Sequence, residues 1–406
     1  MGSEILSANR LALTRESVQE LSRRRHEPDW LLALRLNAFE AFERLPMPDQ
    51  RTEGWRRTSL RGLELSQVDP LSGSVKIAIR GDSRGVALPL EEALEHPQFA
   101  PKVQRYFGQI VAPESDKFVA LHYAFFNAAV AVIVPRGTAV DEPIWIEYAA
   151  EGPALVHTLL ILEDDADLPA LVEHYSGGAD FASGAVEQVL GGNSHTRYVQ
   201  LQRWAPEVWS FSWQRAHLGQ DASLRTLNAA MGARLARNTV QVVLDGRGAQ
   251  ADLLGVVGIG DRQHADFETL QDHHGDATRS DLVIHDALRD RASANFTGLI
   301  RINKTARQTE SSQEQKNILL SDRAKADSDP KLEILNNDVI RCTHGAAVGP
   351  VDQEMVFYLQ SRGLDRATAE QLIVEGFFQS TLRKLECPAV EAAVWDVINR
   401  SSDNAG

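Results

Sequence analysis

Between about Val130 and Pro350 the chain is a succession of short strand-like runs with no long helical period between them. The runs include AVAVIVP, IWIEYA, VHTLLIL, RYVQLQRW, WSFSWQR, TVQVVLDG, SDLVIHD and GLIRIN. Several alternate apolar and polar residues with period two, the pattern of strands with two distinct faces. The turns between them share a texture: RGTAVDE, DDADLPA, GQDASLRT, GRGAQADL, DRASANFT and DRAKADSD each set a polar or glycine shoulder beside a small residue. Those small residues are Ala139, Ala166, Ala222, Ala249, Ala292 and Ala324, separated by 27, 56, 27, 43 and 32 positions, a loose repeat. Strands this short bury their apolar edges only against neighbouring copies, which predicts a mainly β fold built as a β-solenoid. A β-sandwich is the alternative that spacing alone leaves open.

Helical signals flank this region. In DWLLALRLNAFEAFERLP, Leu31, Leu34, Ala38, Phe42 and Leu45 recur at steps of three and four, with Asp29 as the expected cap and Pro46 as the stop. LPLEEALEHPQFAPKVQRYFGQI predicts more helix, broken near Pro97 and Pro101, and QRTEGWRRTSLRGLELSQ reads as an extended connector. At the other end DQEMVFYLQSRGL and DRATAEQLIVEGFF predict helices ended by Gly363 and Gly376, followed by PAVEAAVWDVINR and a polar tail. The expected division is a helical region over 1–129, a solenoid over 130–350 and a helical domain over 351–406.

Composition excludes several function classes. A net charge of −14 opposes binding to a phosphate backbone, so no nucleic-acid partner is expected. The most apolar stretch, Ala120–Val134, is shorter than a membrane span and carries His122 and Asn127, so no membrane association is expected. Only Cys342 and Cys387 are present, which rules out a disulfide framework and fits a reducing cytoplasm. No G-x-x-x-x-G-K-[ST] run occurs, so ATP hydrolysis by this chain alone is not expected, and GVVGIGD lacks the strand–helix context of a dinucleotide site.

Three clusters are candidates for chemistry. His264, Asp266, His273, His274, Asp276 and His285 are metal-ligating residue types, but their spacing matches no tight ligand motif and favours histidines hydrogen-bonded between strands. Trp209, Phe211 and Trp213 alternate on one face and read as core or subunit contact. Cys342 and His344, in RCTHGAAVG, sit two apart in a strand-like run and so share a face. A thiolate with an imidazole suits zinc or iron–sulfur chemistry, but two ligands do not complete a site; a second chain would have to add the rest.

The run NILLSDRAKADSDPKLEILNNDVIRCTHGAAVGPVDQEMVFYLQSRGLDRATAEQLIVEGFF closely resembles the SufB/SufD family of iron–sulfur cluster assembly proteins. HADFETLQDHHGDATRSDLVIHDALRDRASANFTGLIRI, EPDWLLALRLNAFEAFERLP and EGWRRTSL extend the likeness over nearly the whole chain. The resemblance implies a right-handed parallel β-helix between helical ends, acting as a noncatalytic scaffold. It implies pairing with a SufB-type chain through the β-helix and binding of the ATPase SufC through the C-terminal helices, with ATP entering only through SufC. His344 and Cys342 then become candidate ligands of a transient iron–sulfur cluster at the SufB interface. Phe357, Tyr358, Leu359, Arg362, Gly363, Leu364, Leu372, Ile373 and Phe377 become the candidate SufC contacts. SufB-type chains carry a cysteine before the SD turn; QEQKNILLSD has none and places Gln315 there, so the chain reads as SufD-type. The stretch Asp338–Cys342 is one residue longer than the family's usual spacing, which either flips the side-chain faces or is absorbed as a bulge. Ala347 replaces the family's usual threonine. The competing expectations are a self-pairing homodimeric scaffold and a solitary β-helix enzyme acting on polysaccharide, the latter opposed by the absence of an export signal.

Overall fold

A computed structural model describes residues 13–178 and 180–403. Two helices open it, α1 (Arg15–Arg24) and α2 (Asp29–Arg44). Asp29 is the first helical residue of α2 rather than its cap, a position taken by Pro28. Two strands that the sequence reading missed follow, β1 (Ser74–Arg80) and β2 (Ala87–Pro89), so the 1–129 segment is not purely helical. The signal was present: Val75, Ile77 and Ile79 alternate with polar or small residues. Then come α3 (Leu90–Glu95), α4 (Ala100–Tyr106) and α5 (Lys117–Phe125). Pro101 lies in the first turn of α4 and does not break it, because amides there have no partner within the helix.

The solenoid begins with β3 (Ala128–Val134), β4 (Ile144–Glu151), β5 (Ala154–Leu162), β6 (Asp167–Gly178), β7 (Phe181–Leu190) and β8 (His195–Trp204). It continues through β9 (Trp209–Leu218), β10 (Ser223–Ala230), β11 (Leu235–Leu244), β12 (Gln250–Ile259) and β13 (His264–His273). It ends with β14 (Arg279–Leu288), β15 (Ser293–Ile302), β16 (Thr309–Leu319), β17 (Lys325–Ile334) and β18 (Val339–Pro350). Successive strands alternate between two nine-stranded sheets, one running β1-β4-β6-β8-β10-β12-β14-β16-β18 and the other β17-β15-β13-β11-β9-β7-β5-β3-β2. All these neighbours pair in parallel except β1 with β4 and β2 with β3. The fold is therefore a stacked two-sheet solenoid, not a sandwich.

The corners explain the loose alanine repeat. At one corner a residue with positive φ is followed at once by a small residue: Gly137–Thr138, Asp165–Ala166, Asn193–Ser194, Asp221–Ala222, Gly248–Ala249, Ala277–Thr278 and Gln308–Thr309. The small residue's carbonyl accepts from the next coil, as in Asp167 N to Thr138 O, His195 N to Ala166 O and Ser223 N to Ser194 O, all 2.9–3.0 Å. With Ser194, Thr278 and Thr309 included, the repeat tightens to 27–31 residues from Ala166 onward. Ala139 is exposed and stands beside the true corner residue, Thr138. Ala292 and Ala324, both buried, belong to the opposite corner.

The solenoid interior is a continuous apolar column that includes Ile144, Leu160, Val186, Leu224, Val257, Leu282 and Phe296. The aromatic stripe is core: Phe211 stacks on Phe118 of α5 at 4.1 Å, and Trp209 and Trp213 are buried in the same cluster. Three helices close the chain, α6 (Gln353–Ser361), α7 (Arg366–Leu382) and α8 (Pro388–Asp403). Gly363, at φ +95°, follows the end of α6 as expected. Gly376 does not end α7, which runs on to Leu382, and α8 continues into the expected polar tail. Phe378, Leu382, Val390 and Val394 bury themselves against Val199, Leu227 and Val256 on the outer face of one sheet.

Candidate functional site: the open coil

The last coil, β17 and β18, forms an edge of each sheet. Along β17, Ala326, Ser328, Pro330, Leu332 and Ile334 lie in register on the buried Ala294, Phe296, Gly298, Ile300 and Ile302. Along β18, Cys342, His344, Ala346 and Val348 lie on the buried Ser311, Gln313, Gln315 and Asn317. Of these positions, interior in the coil beneath, Leu332, Ile334, His344, Ala346 and Val348 face solvent and the others are half-buried. Leu332, Ile334 and Val348 are 38 %, 44 % and 46 % exposed, and Ile340 beside them reaches 64 %.

The extra residue before Cys342 has a definite place. Thr309 pairs with Val339 and Glu310 with Arg341, so Ile340 is bulged out of the ladder. The bulge absorbs the insertion, and Cys342 and His344 keep one face, toward the open interior. Cys342 is half-buried against Ile300, Ile302 and Ala306, and that burial pushes its thiol pKa up. His344 is exposed. Among the described residues no group of three or more His, Cys, Asp or Glu side chains is placed to hold a metal ion.

Beneath this coil the interior turns polar. Gln315 donates to Asp286 Oδ2 (2.7 Å) and to Asn317 Oδ1 (2.8 Å) and accepts from Ser328. Burial raises the Asp286 carboxyl to about 7, against the opposing hydrogen bond from Gln315. Neither Asp286 nor the neighbouring Gln313 was singled out by sequence reasoning. The signal for Gln313 is the wholly polar run TESSQEQKN, where β12 and β14 beneath it carry Leu253, Leu282 and Ile284; Asp286 gives no such signal.

The histidine-rich stretch is structural. His264 bonds Ser293 (2.7 Å), and His273 bonds Thr278 and Ser280 (both 2.8 Å). Burial lowers His273 to about 4, keeping it neutral. His285 donates to the Phe377 carbonyl (3.0 Å) and stacks on its ring at 4.2 Å, docking α7. Asp266 accepts from Arg237 and Asn295, Asp276 accepts from the Arg307 amide, and His274 pairs with Asp272.

Of the C-terminal residues, Phe357, Tyr358 and Leu372 are 72 %, 52 % and 43 % exposed, with Arg362 and Gly363 also exposed. Leu359 and Ile373 are partly covered by Val351, Val356 and Ala369, and Leu364 is half-buried. Phe377 is engaged with His285.

Fold and site define a class: a helix-flanked parallel β-solenoid whose final coil leaves interior positions open. Residues 146–377 match the family described as SUF system FeS cluster assembly, SufBD core domain, and the chain belongs to this SufB/SufD family. A SufBD family protein of Mycobacterium tuberculosis is 30 % identical over 361 residues, covering 86 % of this chain and 87 % of that protein. The iron–sulfur cluster assembly proteins SufD and SufB of Bacillus subtilis are 27 % and 24 % identical, covering 96 % and 92 % of this chain and 98 % and 90 % of theirs. Membership gives the chain the general role of a noncatalytic scaffold in SUF-system iron–sulfur assembly. No helix among the described residues is long and apolar enough to cross a membrane.

Proposed function

We propose that the chain is a SufD-type subunit that pairs through its open coil with a SufB-type chain and binds the ATPase SufC through α6 and α7. The observation that carries the pairing is the exposure of Leu332, Ile334 and Val348 at positions whose equivalents in earlier coils are core. A second solenoid end set against this coil would cover them. Gln315, in place of a cysteine, supports the SufD assignment: its amide is held in a hydrogen-bond network and supplies no thiolate. In this reading the nascent iron–sulfur cluster is cargo. His344 faces the partner as a ligand, Cys342 is its half-buried neighbour, and the partner supplies the remaining ligands.

The SufC surface in this reading centres on Phe357, Tyr358 and Leu372, with Arg362 lying over the Tyr358 ring at 5.3 Å. Deleting residues 352–406 is a poor test, because α7 and α8 cover one sheet of the solenoid. Phe357→Ala removes an exposed ring instead, and should weaken SufC binding by about 10-fold or more in a calorimetric titration. Unchanged affinity would move the SufC contact elsewhere. For pairing, Leu332→Glu with Val348→Glu should abolish co-purification with a SufB-type chain while the chain itself still folds. Retained pairing of that double variant refutes the open-coil interface. Stable pairing of the unmodified chain with itself, and not with a SufB-type chain, would support the homodimeric alternative.

A further inference from the structure

Two glutamines two residues apart on β16 face the same interior and are treated differently. Gln315 is 1 % exposed and bonds Asp286, Asn317 and Ser328. Gln313 is 2 % exposed, and neither its Oε1 nor its Nε2 has a hydrogen-bond partner. An amide buried this way costs free energy on both its atoms; Gln188 on β7 bears the same cost, and what distinguishes Gln313 is its place under the open coil. Its surroundings define that place. Below it in register is Leu282, which offers nothing polar. Across the interior is Gly298, where an added Cβ would stand 2.4 Å from both Gln313 Oε1 and Phe296 Cζ, so the glycine gives room to the amide and to the ring. Directly above it in register is His344.

We infer that Gln313 is the positioning residue for His344: when a second chain covers the open coil, the Gln313 amide bonds one imidazole nitrogen and fixes the other toward the partner. This rests on the pairing reading above and adds a residue to it. A histidine that ligates a metal through one nitrogen needs its other nitrogen held, and an amide supplies either an acceptor or a donor. The exposed ring of the unpaired chain is free to turn. Covering the coil removes water from around it and leaves the Gln313 amide as the polar group beneath it.

The test uses the complex co-purified anaerobically with SufB-type and SufC-type partners, loaded with ferrous iron and sulfide, and followed by iron retention and visible absorbance. Gln313→Leu should leave the complex assembled but lower its affinity for iron about 10-fold or more. The same substitution should leave the melting temperature of the isolated chain unchanged or raised, since it removes an unpaired buried amide. Gln313→Glu, which keeps an acceptor oxygen in the same place, should restore much of the iron retention. Loss of iron together with a lowered melting temperature and no rescue by Gln313→Glu would make Gln313 a packing residue and overturn the inference. Full iron retention in Gln313→Leu, beside a loss in His344→Ala, would overturn the inference and leave the pairing reading standing. Full retention in His344→Ala would overturn both.

Discussion

The two ends of the solenoid are finished in opposite ways. At the first coil, β1 and β2 turn antiparallel and close the sheet edges, and β1 shows solvent Lys76 and Arg80, paired with Glu151 and Glu147. Short, charged edge strands of this kind resist pairing with another chain. Helices α2 and α5 pack beside it on a dense aromatic core. At the last coil β17 and β18 end the parallel ladders with apolar interior positions uncovered. Two buried carboxyls show the same division. Glu173, toward the first coils, is fully buried without a cation, yet accepts from Tyr148, Thr158, Tyr175 and Tyr198. Asp286, near the last coils, has Gln315 as donor to one oxygen and no partner on the other. At one end the sheet edges are capped within the chain; at the other, interior positions stay open.

That contrast is open to measurement. The largest effect belongs at the closed end, where Arg35 is fully buried and holds Glu27 bidentately at 2.6 and 2.7 Å. Its guanidinium also donates to the carbonyls of Ala124 and Phe126, just before β3. Arg35→Ala leaves the buried Glu27 carboxylate only the more distant Arg25, at 3.7 Å, and should cost about 3–5 kcal/mol in urea unfolding. A loss under ~1 kcal/mol would mean that the closed end is not held from within.

A smaller, pH-dependent effect is expected at Asp286. Its raised pKa keeps it protonated in the folded chain up to about 7, while the unfolded chain releases the proton near the ordinary aspartate value. The folded state therefore binds more protons between those limits, and this group's contribution to stability falls as pH rises through them. Asp286→Asn removes the titration. Its advantage over the unmodified chain should grow from little at pH 4 to at most about 4 kcal/mol above pH 7. Urea midpoints at pH 5 and pH 8 check the sign, and an advantage that shrinks with pH would contradict it.

The smallest effect is expected at the open coil. Leu332→Glu, in the isolated chain, should change stability by less than about 0.5 kcal/mol, because the side chain is already partly in water. A cost near ~2 kcal/mol would show that the last coil is packed within the single chain, and the contrast between the ends would fail.

Much of this was legible in the residues. Period-two runs and small corner residues specified a β-stack, and the flanking 3.6-residue periods placed most helices. The corner repeat stayed loose in the sequence because Ser194, Thr278 and Thr309 fill the same place as alanine: the corner selects small size and a preceding left-handed residue, not one side chain. Gly376 misled because a glycine lowers helix propensity without ending a helix that tertiary packing holds, and the neighbouring Phe378 anchors α7 to the sheet.

By itself the sequence determined a stack of short strands, its helical flanks and the adjacency of Cys342 and His344, since these follow from local periodicity and from the two-residue repeat of a strand; that the stack is a two-sheet solenoid and not a sandwich was decided by the tertiary structure. The tertiary structure alone decided that Ile340 is the bulged residue, that β1 and β2 close one end, and that Leu332 and Val348 are uncovered at the other. It also set Gln313 unpaired beneath His344 while Gln315 is fully bonded. The reason is physical: whether an alternating strand is core or surface depends on whether another coil lies on top of it, and no residue within the strand records that.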